Sequence, residues 1–180
     1  MDVLKKILDQ FIREIREGKV EVYNEFSLQH ELGIFLRKAL PEYKVEFERN
    51  VSFFKLADTI KKEIDIVVYN KNEKFAIELK FPRNGQYPEQ MYSFIKDICF
   101  MEELREKTFD NTYCLTLVDD KNFYSGKKID GIYSFFRGEK PINGTINRPT
   151  GNGIDSITLS NNYQIFWKSC NNYCYYILEI

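Results

Sequence analysis

The chain has 180 residues, of which 43% are hydrophobic and 29% are charged, and this balance is typical of a folded globular protein and excludes a disordered one. Its 26 basic side chains are offset by 27 acidic ones, so the net charge gives no support to a protein that coats nucleic acid. One hydrophobic core is expected at this length, and we therefore expect a single domain over residues 1–180.

Two amphipathic helices are predicted at the start of the chain. Residues 2–17 carry apolar side chains at helical spacing, and Gly18 follows as a stop signal. A second apolar stripe runs through residues 27–40 and ends before Pro41. The first residues lack the pattern of a signal peptide, and every apolar run is too short to span a membrane. We therefore expect a cytoplasmic protein with no membrane partner.

Alternating periodicity then replaces helical periodicity. Residues 43–54, 64–69 and 74–81 alternate apolar and polar side chains, which predicts three strands. A long helix is predicted over residues 88–107 and a further strand over residues 112–118. This order of elements predicts an α+β or α/β fold, in which helices flank a mixed β-sheet.

The last third of the chain is predicted to be irregular at first and then rich in strands. Residues 138–153 hold four glycines and two prolines, which predicts a loop. The pairs Asn161-Asn162 and Asn171-Asn172 each suit a two-residue hairpin turn. We therefore expect a C-terminal antiparallel β-meander of three short strands.

The cysteines and the histidine exclude some kinds of site. The turn at Asn171-Asn172 would pair Cys170 with Tyr173 and place Cys174 on the opposite face of the hairpin. We therefore expect the four cysteines of the chain to be free thiols. His30 is the only histidine in the sequence, which excludes a histidine-rich zinc site, and we expect it on the surface of its helix.

Two carboxylates are predicted to face each other on the hairpin of residues 64–81. The connection over residues 70–73 gives one register whether its loop has two residues or four, and this register puts Asp65 opposite Glu78. Like charges at that spacing destabilise a sheet unless a cation compensates them. Mg2+ prefers carboxylate oxygens, which it binds together with water and substrate phosphate. The pair therefore predicts a magnesium site.

Lys80 lies on the same strand face as Glu78, one pleat further along. There its ammonium would orient or acidify an attacking water and neutralise charge that develops on phosphorus. In the same register Lys80 faces Glu63, so an exposed cross-strand ion pair is the simpler alternative. The polar pair on an otherwise apolar strand favours a functional site over that alternative.

The spacing of Asp65 and the run Glu78-Leu79-Lys80 resembles the motif of the PD-(D/E)XK nuclease superfamily, although Ile64 replaces the family's proline. The predicted elements over about residues 24–119 also resemble its restriction-endonuclease-like core, with about residues 120–180 as a C-terminal β extension. The resemblance implies a Mg2+-dependent nuclease, with Mn2+ as a substitute ion, that hydrolyses phosphodiester bonds in restriction, repair or phage defence. DNA is the nucleic acid expected from the family.

The resemblance also implies roles for individual residues. Asp65, Glu78 and the backbone carbonyl of Leu79 would hold the metal, and Lys80 would serve the water nucleophile. Many members add a glutamate from the helix before the first strand, and Glu31 matches that position. A partly exposed helix glutamate is an equal alternative for Glu31.

A glutamine follows the motif in some members of the family. Gln90 on the predicted helix is the candidate for it, and Gln86 and Tyr87 are alternatives on the loop. A second function also stays open, in which the same fold is a non-catalytic nucleic-acid-binding or protein-interaction module. The complete Asp, Glu and Lys set favours the nuclease, while the near-neutral charge favours a partner subunit, a homodimer or the second function.

Overall fold

A mixed β-sheet with helices on both faces forms the centre of the molecule in a computed structural model, which describes residues 3–150 and 155–180. The helices are Val3–Arg16 (α1), Glu25–Ala39 (α2), Tyr87–Lys107 (α3) and Tyr133–Arg137 (α4). The strands are Lys44–Asn50 (β1), Glu63–Tyr69 (β2), Lys74–Lys80 (β3), Asn111–Val118 (β4), Ile142–Asn147 (β5), Ser156–Tyr163 (β6), Lys168–Cys170 (β7) and Tyr173–Glu179 (β8).

The described residues form a six-stranded sheet in the order β1-β2-β3-β4-β8-β7 and a separate two-stranded sheet of β5 and β6. Strands β3 and β4 run parallel, and the other neighbours run antiparallel. Parallel strands need a long crossover, and α3 provides it. The predicted class, a mixed sheet flanked by helices, is therefore confirmed.

Each face of the large sheet has its own apolar core. Helices α1 and α2 pack on one face, and α3, α4 and the β5–β6 sheet pack on the other. Helix α2 lies so close to β1 that a Cβ on Gly33 would come within 2.1 Å of the Phe47 ring. The missing side chain of Gly33 thus allows α2 to reach the sheet, where its first turn meets the β2–β3 hairpin.

The C-terminal meander is only partly as predicted. Asn171-Asn172 forms the expected turn, and Cys170 pairs with Tyr173. However, β5 lies within the residues predicted as a loop and pairs with β6, while β8 joins the large sheet beside β4. Residues 151–154 of that predicted loop lie outside the described residues.

The second predicted turn, Asn161-Asn162, is wrong, because both residues belong to β6. The register of β5 and β6 shifts here, so that residues 160–162 stand opposite Asn143 alone. The side chain of Asn143 donates to Asn162 Oδ1 over 2.7 Å. The pair therefore forms an irregularity within a strand, where the sequence predicts a reversal of the chain.

The C-terminal hairpin holds the end of the N-terminal helix. The Asn171 side chain donates to the carbonyls of Ile15 and Arg16, both over 3.1 Å. The Tyr173 hydroxyl donates to the carbonyl of Val22 over 2.9 Å. Carbonyls in the last turn of a helix lack partners within it, so the two Asn171 bonds close the end of α1, and the Tyr173 bond holds the segment that follows.

Two smaller predictions are also tested. All four cysteines lie in the described part of the chain and are free thiols, and His30 is exposed on α2. Across residues 3–150 and 155–180, no helix combines the length and apolar character needed to cross a bilayer.

Candidate active site at the end of the β2–β3 ladder

The β2–β3 hairpin has the register predicted from its turn. Ile66 pairs with Ile77, and Tyr69 pairs with Lys74. The side chain of Asn70 accepts hydrogen bonds from the backbone N–H groups of Asn72 and Glu73 over 2.8 and 2.9 Å, as short polar side chains do in turns. Local turn chemistry therefore fixes which residues meet at the far end of the two strands.

Asp65 and Glu78 meet just beyond the last backbone pair of the ladder. Asp65 Oδ2 accepts the N–H of Leu79 over 2.7 Å, and Glu78 Oε1 accepts the N–H of Asp65 over 3.3 Å. Each carboxylate thus satisfies a backbone donor of the opposite strand. The exchange holds the two acidic groups together where the strands part.

Two lysines and a third acid complete a charged cluster around Glu78, which is 1% exposed. The Lys61 ammonium contacts Glu78 and lies 3.0 Å from Asp97 Oδ1. Lys80 Nζ lies 3.2 Å from Asp97 Oδ2, outside hydrogen-bonding alignment, and 3.8 Å from Glu25 Oε1. Among the described residues Lys80 forms no ion pair with the exposed Glu63, so the simpler alternative for Lys80 is not what the structure contains.

The pKa values in this cluster are shifted by burial and by neighbouring charges. Burial raises the pKa of Asp65 to about 6, although the Lys80 and Lys61 ammonium groups oppose the shift. Burial also raises the pKa of Glu78 well above its usual range, and the Asp65 and Asp97 charges add to the effect. For both lysines burial works against the ammonium, but nearby carboxylates, Asp97 foremost, outweigh it and raise the pKa. Both lysines are therefore ammonium groups at neutral pH.

The cluster carries more acidic than basic groups. The carboxylates of Asp65, Glu78 and Asp97 surround the ammonium groups of Lys61 and Lys80. Buried charges are tolerated when they are compensated, and one carboxylate in this set has no matching ammonium. A further cation or a proton is needed to complete the balance.

An open cleft of about 270 Å³ gives access to Asp65 and Leu79 from the side of α2. Glu25, Phe26 and Gln29 line it from the first turns of α2, and Glu48 lines it from β1. The Gln29 side chain donates to the carbonyl of Asp65 over 2.9 Å and to Glu48 over 2.6 Å. Gln29 therefore ties α2 to the hairpin at Asp65.

The start of α2 is held by a capping box. The Asn24 side chain accepts the N–H of Ser27 over 2.8 Å, and Ser27 Oγ accepts the N–H of Asn24 over 3.1 Å, which satisfies donors that a helix start leaves free. Glu25 follows at once and accepts the N–H of Phe81 over 3.0 Å. The cap thus places a glutamate next to Lys80.

The structure does not bring Glu31 to this cluster. Glu31 lies on α2 about 200° around the helix axis from Gln29, and within the described residues it contacts neither hairpin carboxylate. The glutamate of α2 at the cleft is Glu25. The apolar stripe in the sequence predicts which face of α2 is buried. Residues on the two borders of that stripe, however, face different neighbours.

The glutamine candidates also lie elsewhere. The Gln90 side chain donates to Asn84 over 3.1 Å, and the Tyr87 hydroxyl donates to Asp120 over 2.6 Å. Gln86 precedes α3 without a capping side-chain bond. In the part of the chain that is described, none of these three contacts Asp65, Glu78 or Lys80.

Four residues of the candidate site were not predicted from the sequence. Glu25 and Gln29 line the cleft, and Lys61 and Asp97 belong to the charged cluster. Asp97 did carry a signal, because it occupies an inward position between Phe94 and Met101 in the apolar stripe of α3. A charged residue at such a position needs a partner. Lys61 lies in an irregular segment before β2, where no periodicity indicates its direction.

A larger cleft, of about 460 Å³, lies between α4 and β5 and is remote from this chemistry. Lys128, Lys140 and Arg148 line it together with Asp130. Arg148 is already paired with Glu89 and Asp155, and among the described residues that line the cleft only Asp130 is acidic. We therefore place the candidate active site at the hairpin.

The donor set at the hairpin fits Mg2+. Within the described residues no three His, Cys, Asp or Glu side chains converge on a metal position. Two carboxylates with a neighbouring carbonyl are nevertheless sufficient for an ion that keeps several waters and takes further oxygens from substrate phosphate. The Leu79 carbonyl lies at this place and accepts Lys80 Nζ over 3.0 Å.

No protein-family model, no curated protein and no solved structure matches the chain. The function of the chain is therefore inferred from its hairpin and the residues around it.

Proposed function

We propose that this chain is a Mg2+-dependent nuclease of the PD-(D/E)XK type, with a restriction-endonuclease-like core, that hydrolyses phosphodiester bonds of DNA. The observation that carries the proposal is the meeting of Asp65 and Glu78 where the β2–β3 strands part beside an open cleft, with Lys80 on the same strand face as Glu78. Restriction, repair and phage defence are the processes in which such an enzyme would act.

Asp65, Glu78 and the Leu79 carbonyl would hold the ion, with Mn2+ as a substitute. When bound, Mg2+ supplies Lewis-acid activation of water and neutralisation of phosphate charge. The excess of carboxylates over ammonium groups in the cluster supports this assignment, because a cation would complete the balance.

Lys80 would act through its charge. Its pKa is raised, with Asp97 as the largest favourable cause, and an ammonium group cannot accept a proton from water. Its N–H donors would stabilise negative charge on the phosphate oxygens as the bond to the leaving group breaks. Asp97 would be a positioning residue, because it holds both lysines from α3.

Cleavage assays with matched lysine variants test the proposal. Wild-type protein with Mn2+ or Mg2+ should cut DNA, and Lys80→Ala should lower the rate by roughly 100-fold or more, as loss of one stabilising donor does. Lys74→Ala is the control, because Lys74 lies on the same strand face about 20 Å away and donates to Thr108. Equal activity in Lys80→Ala would show that another site or a contaminant cuts the substrate.

Thermal unfolding tests the metal site without an activity readout. A ligand that binds the folded state at ten times its Kd stabilises it by about 1.4 kcal/mol, which is a rise in Tm of roughly 3–6 °C for a chain of this size. Mg2+ should produce such a rise in the wild type, and Asp65→Asn should abolish it. A wild type that does not respond to Mg2+ or Mn2+ has no metal site at this hairpin.

The ion pairs of Lys61 favour a second candidate, the non-catalytic nucleic-acid-binding or protein-interaction module. Lys61 already compensates Glu78 and Asp97, as a purely structural network would. Lys61→Met separates the two functions. If Glu78 binds metal, Mg2+ should stabilise Lys61→Met more than the wild type, because the ion replaces the lost charge. If the network is structural, the variant should be destabilised equally with and without Mg2+.

A further inference from the structure

Phe26 lies exposed at the cleft that contains Asp65 and Leu79. It is 74% exposed, the highest value among the large apolar residues that the structure describes. Exposed apolar side chains scattered over a surface are common. Phe26 differs from them because it shares a cleft with Asp65 and Leu79, two residues of the candidate active site.

The backbone that carries Phe26 is well ordered by hydrogen bonds. Ser27 Oγ accepts the N–H of Tyr23 over 2.9 Å, and the Asn24 side chain accepts the N–H of Ser27. Tyr23, three residues earlier, is 63% exposed. Two aromatic side chains are thus presented to solvent from a capped helix start, so little backbone freedom is lost when a ligand binds them.

The charges of the cleft restrict what can lie against Phe26. Glu25, Glu48 and Asp65 line the same cleft, and they repel a phosphate group. A nucleobase has no formal charge and offers a π face for stacking. The phosphate of the same nucleotide would be directed away from these carboxylates and toward the Lys80 ammonium, which lies 3.8 Å from Glu25.

We propose that Phe26 stacks on an unpaired base of the nucleotide beside the scissile phosphodiester, so that the substrate is single-stranded DNA. Aromatic stacking is tolerant of base identity and is the usual way in which proteins hold single strands. In a duplex the base faces are already covered by neighbouring pairs and must be unstacked at a cost. This inference rests on the proposed nuclease function and adds its class of substrate.

A fluorescence experiment tests the stacking contact without requiring cleavage. Phe26→Trp places an indole at the proposed contact, and its emission should be quenched by an oligo-dT strand in EDTA, after subtraction of the signal of Trp167, the one native tryptophan. Phe166→Trp is the matched control, because Phe166 is 66% exposed and lines a different cleft. A quench that is absent, equal in the control or equal with a duplex of the same sequence overturns the proposal.

Kinetic measurements with Mn2+ give a second test. Phe26→Ala should lower kcat/KM on a single strand by roughly tenfold, which lies within the range for loss of one stacked base. Phe26→Leu, which is apolar without a π face, should lose about as much. A single abasic nucleotide beside the cleaved bond should lower wild-type activity by the same factor and should add nothing in Phe26→Ala.

The two proposals fail in different ways. Quenching in Phe26→Trp without cleavage by the wild type would overturn the proposed nuclease function and support the stacking contact. Cleavage that Phe26→Ala and the abasic nucleotide leave unchanged would overturn the stacking contact and retain the nuclease. Melting curves of the Phe26 variants verify folding, since an exposed side chain contributes little to the core.

Discussion

Helix α3 carries two buried acids, Asp97 and Glu102, and their surroundings differ in kind. Glu102 is 4% exposed and accepts hydrogen bonds from neutral donors on β6, namely the N–H groups of Ser160 and Asn161 and the hydroxyl of Tyr163. Asp97 is 3% exposed, and its neighbours are the ammonium groups of two lysines. Backbone N–H donors have fixed positions and hold the Glu102 carboxylate in one place, whereas the long lysine side chains around Asp97 can change partners.

We therefore expect the two acids to serve different purposes. Glu102 holds the β5–β6 sheet onto α3, and all its partners remain satisfied without any ligand. Asp97 belongs to a cluster whose charges are unbalanced, and under the proposed function its purpose is chemistry more than stability. Glu102 can therefore serve as the control residue for substitutions of Asp97 in the candidate active site.

The largest expected effect is on stability, from Glu102→Ala. The substitution leaves the part-buried N–H groups of Ser160 and Asn161 and the buried hydroxyl of Tyr163 without their acceptor, and we expect a loss of about 4 kcal/mol in the free energy of unfolding. Urea unfolding measures it, with Glu106→Ala, an exposed acid on the same helix, as the control at under about 0.5 kcal/mol. A loss below about 1 kcal/mol for Glu102→Ala would show that Glu102 does not have the structural role that distinguishes it from Asp97.

The next effect is on activity, from Asp97→Asn. The amide keeps the shape of the side chain but loses the charge that holds Lys80, so the cleavage rate should fall by roughly 100-fold, or about 2.7 kcal/mol in the activation barrier. Glu102→Gln is the paired variant, and its rate per folded molecule should match the wild type. If both variants lose the same activity, the distinction between the two acids is wrong.

The smallest effect tests the scaffold of the charged cluster. Asn24→Ala removes the cap of α2 and should lower the free energy of unfolding by about 1 kcal/mol, with a several-fold loss of cleavage because Glu25 and Gln29 are then less well held. Asn50→Ala removes the cap of the short 3-10 helix Val51–Phe54, where Asn50 accepts the N–H of Ser52 over 2.9 Å, but it should leave cleavage unchanged. Equal effects of both variants on cleavage would show that the cap of α2 does not position the site.

The parts of the fold that were predicted correctly depend on short-range chemistry. The register of β2 and β3 follows from the turn at Asn70, whose side chain binds the backbone two and three residues ahead. The turn at Asn171-Asn172 is local in the same sense. Alternation along β3 then places Glu78 and Lys80 on one face, so the centre of the candidate site could be derived from neighbours in sequence.

The parts that were missed depend on contacts distant in sequence. Asn161 stays in β6 because Glu102, on another element, binds both its backbone N–H and its side chain. The hairpin preference of an Asn-Asn pair is too weak to override such a buried partner. Lys61 and Asp97 reach Glu78 from a loop and from a helix, and no spacing in the sequence indicates that they converge.

The bond between the C-terminal hairpin and α1 has a consequence for the order of folding. Asn171 closes the end of α1 across more than 150 residues of chain, and contacts of such long range form late because the intervening loop must first be closed. We infer that α1 gains its full protection only when β7 and β8 dock. In pulse-labelled hydrogen exchange during refolding, the amides of α1 should become protected together with those of β8, and earlier protection of α1 alone would contradict this order.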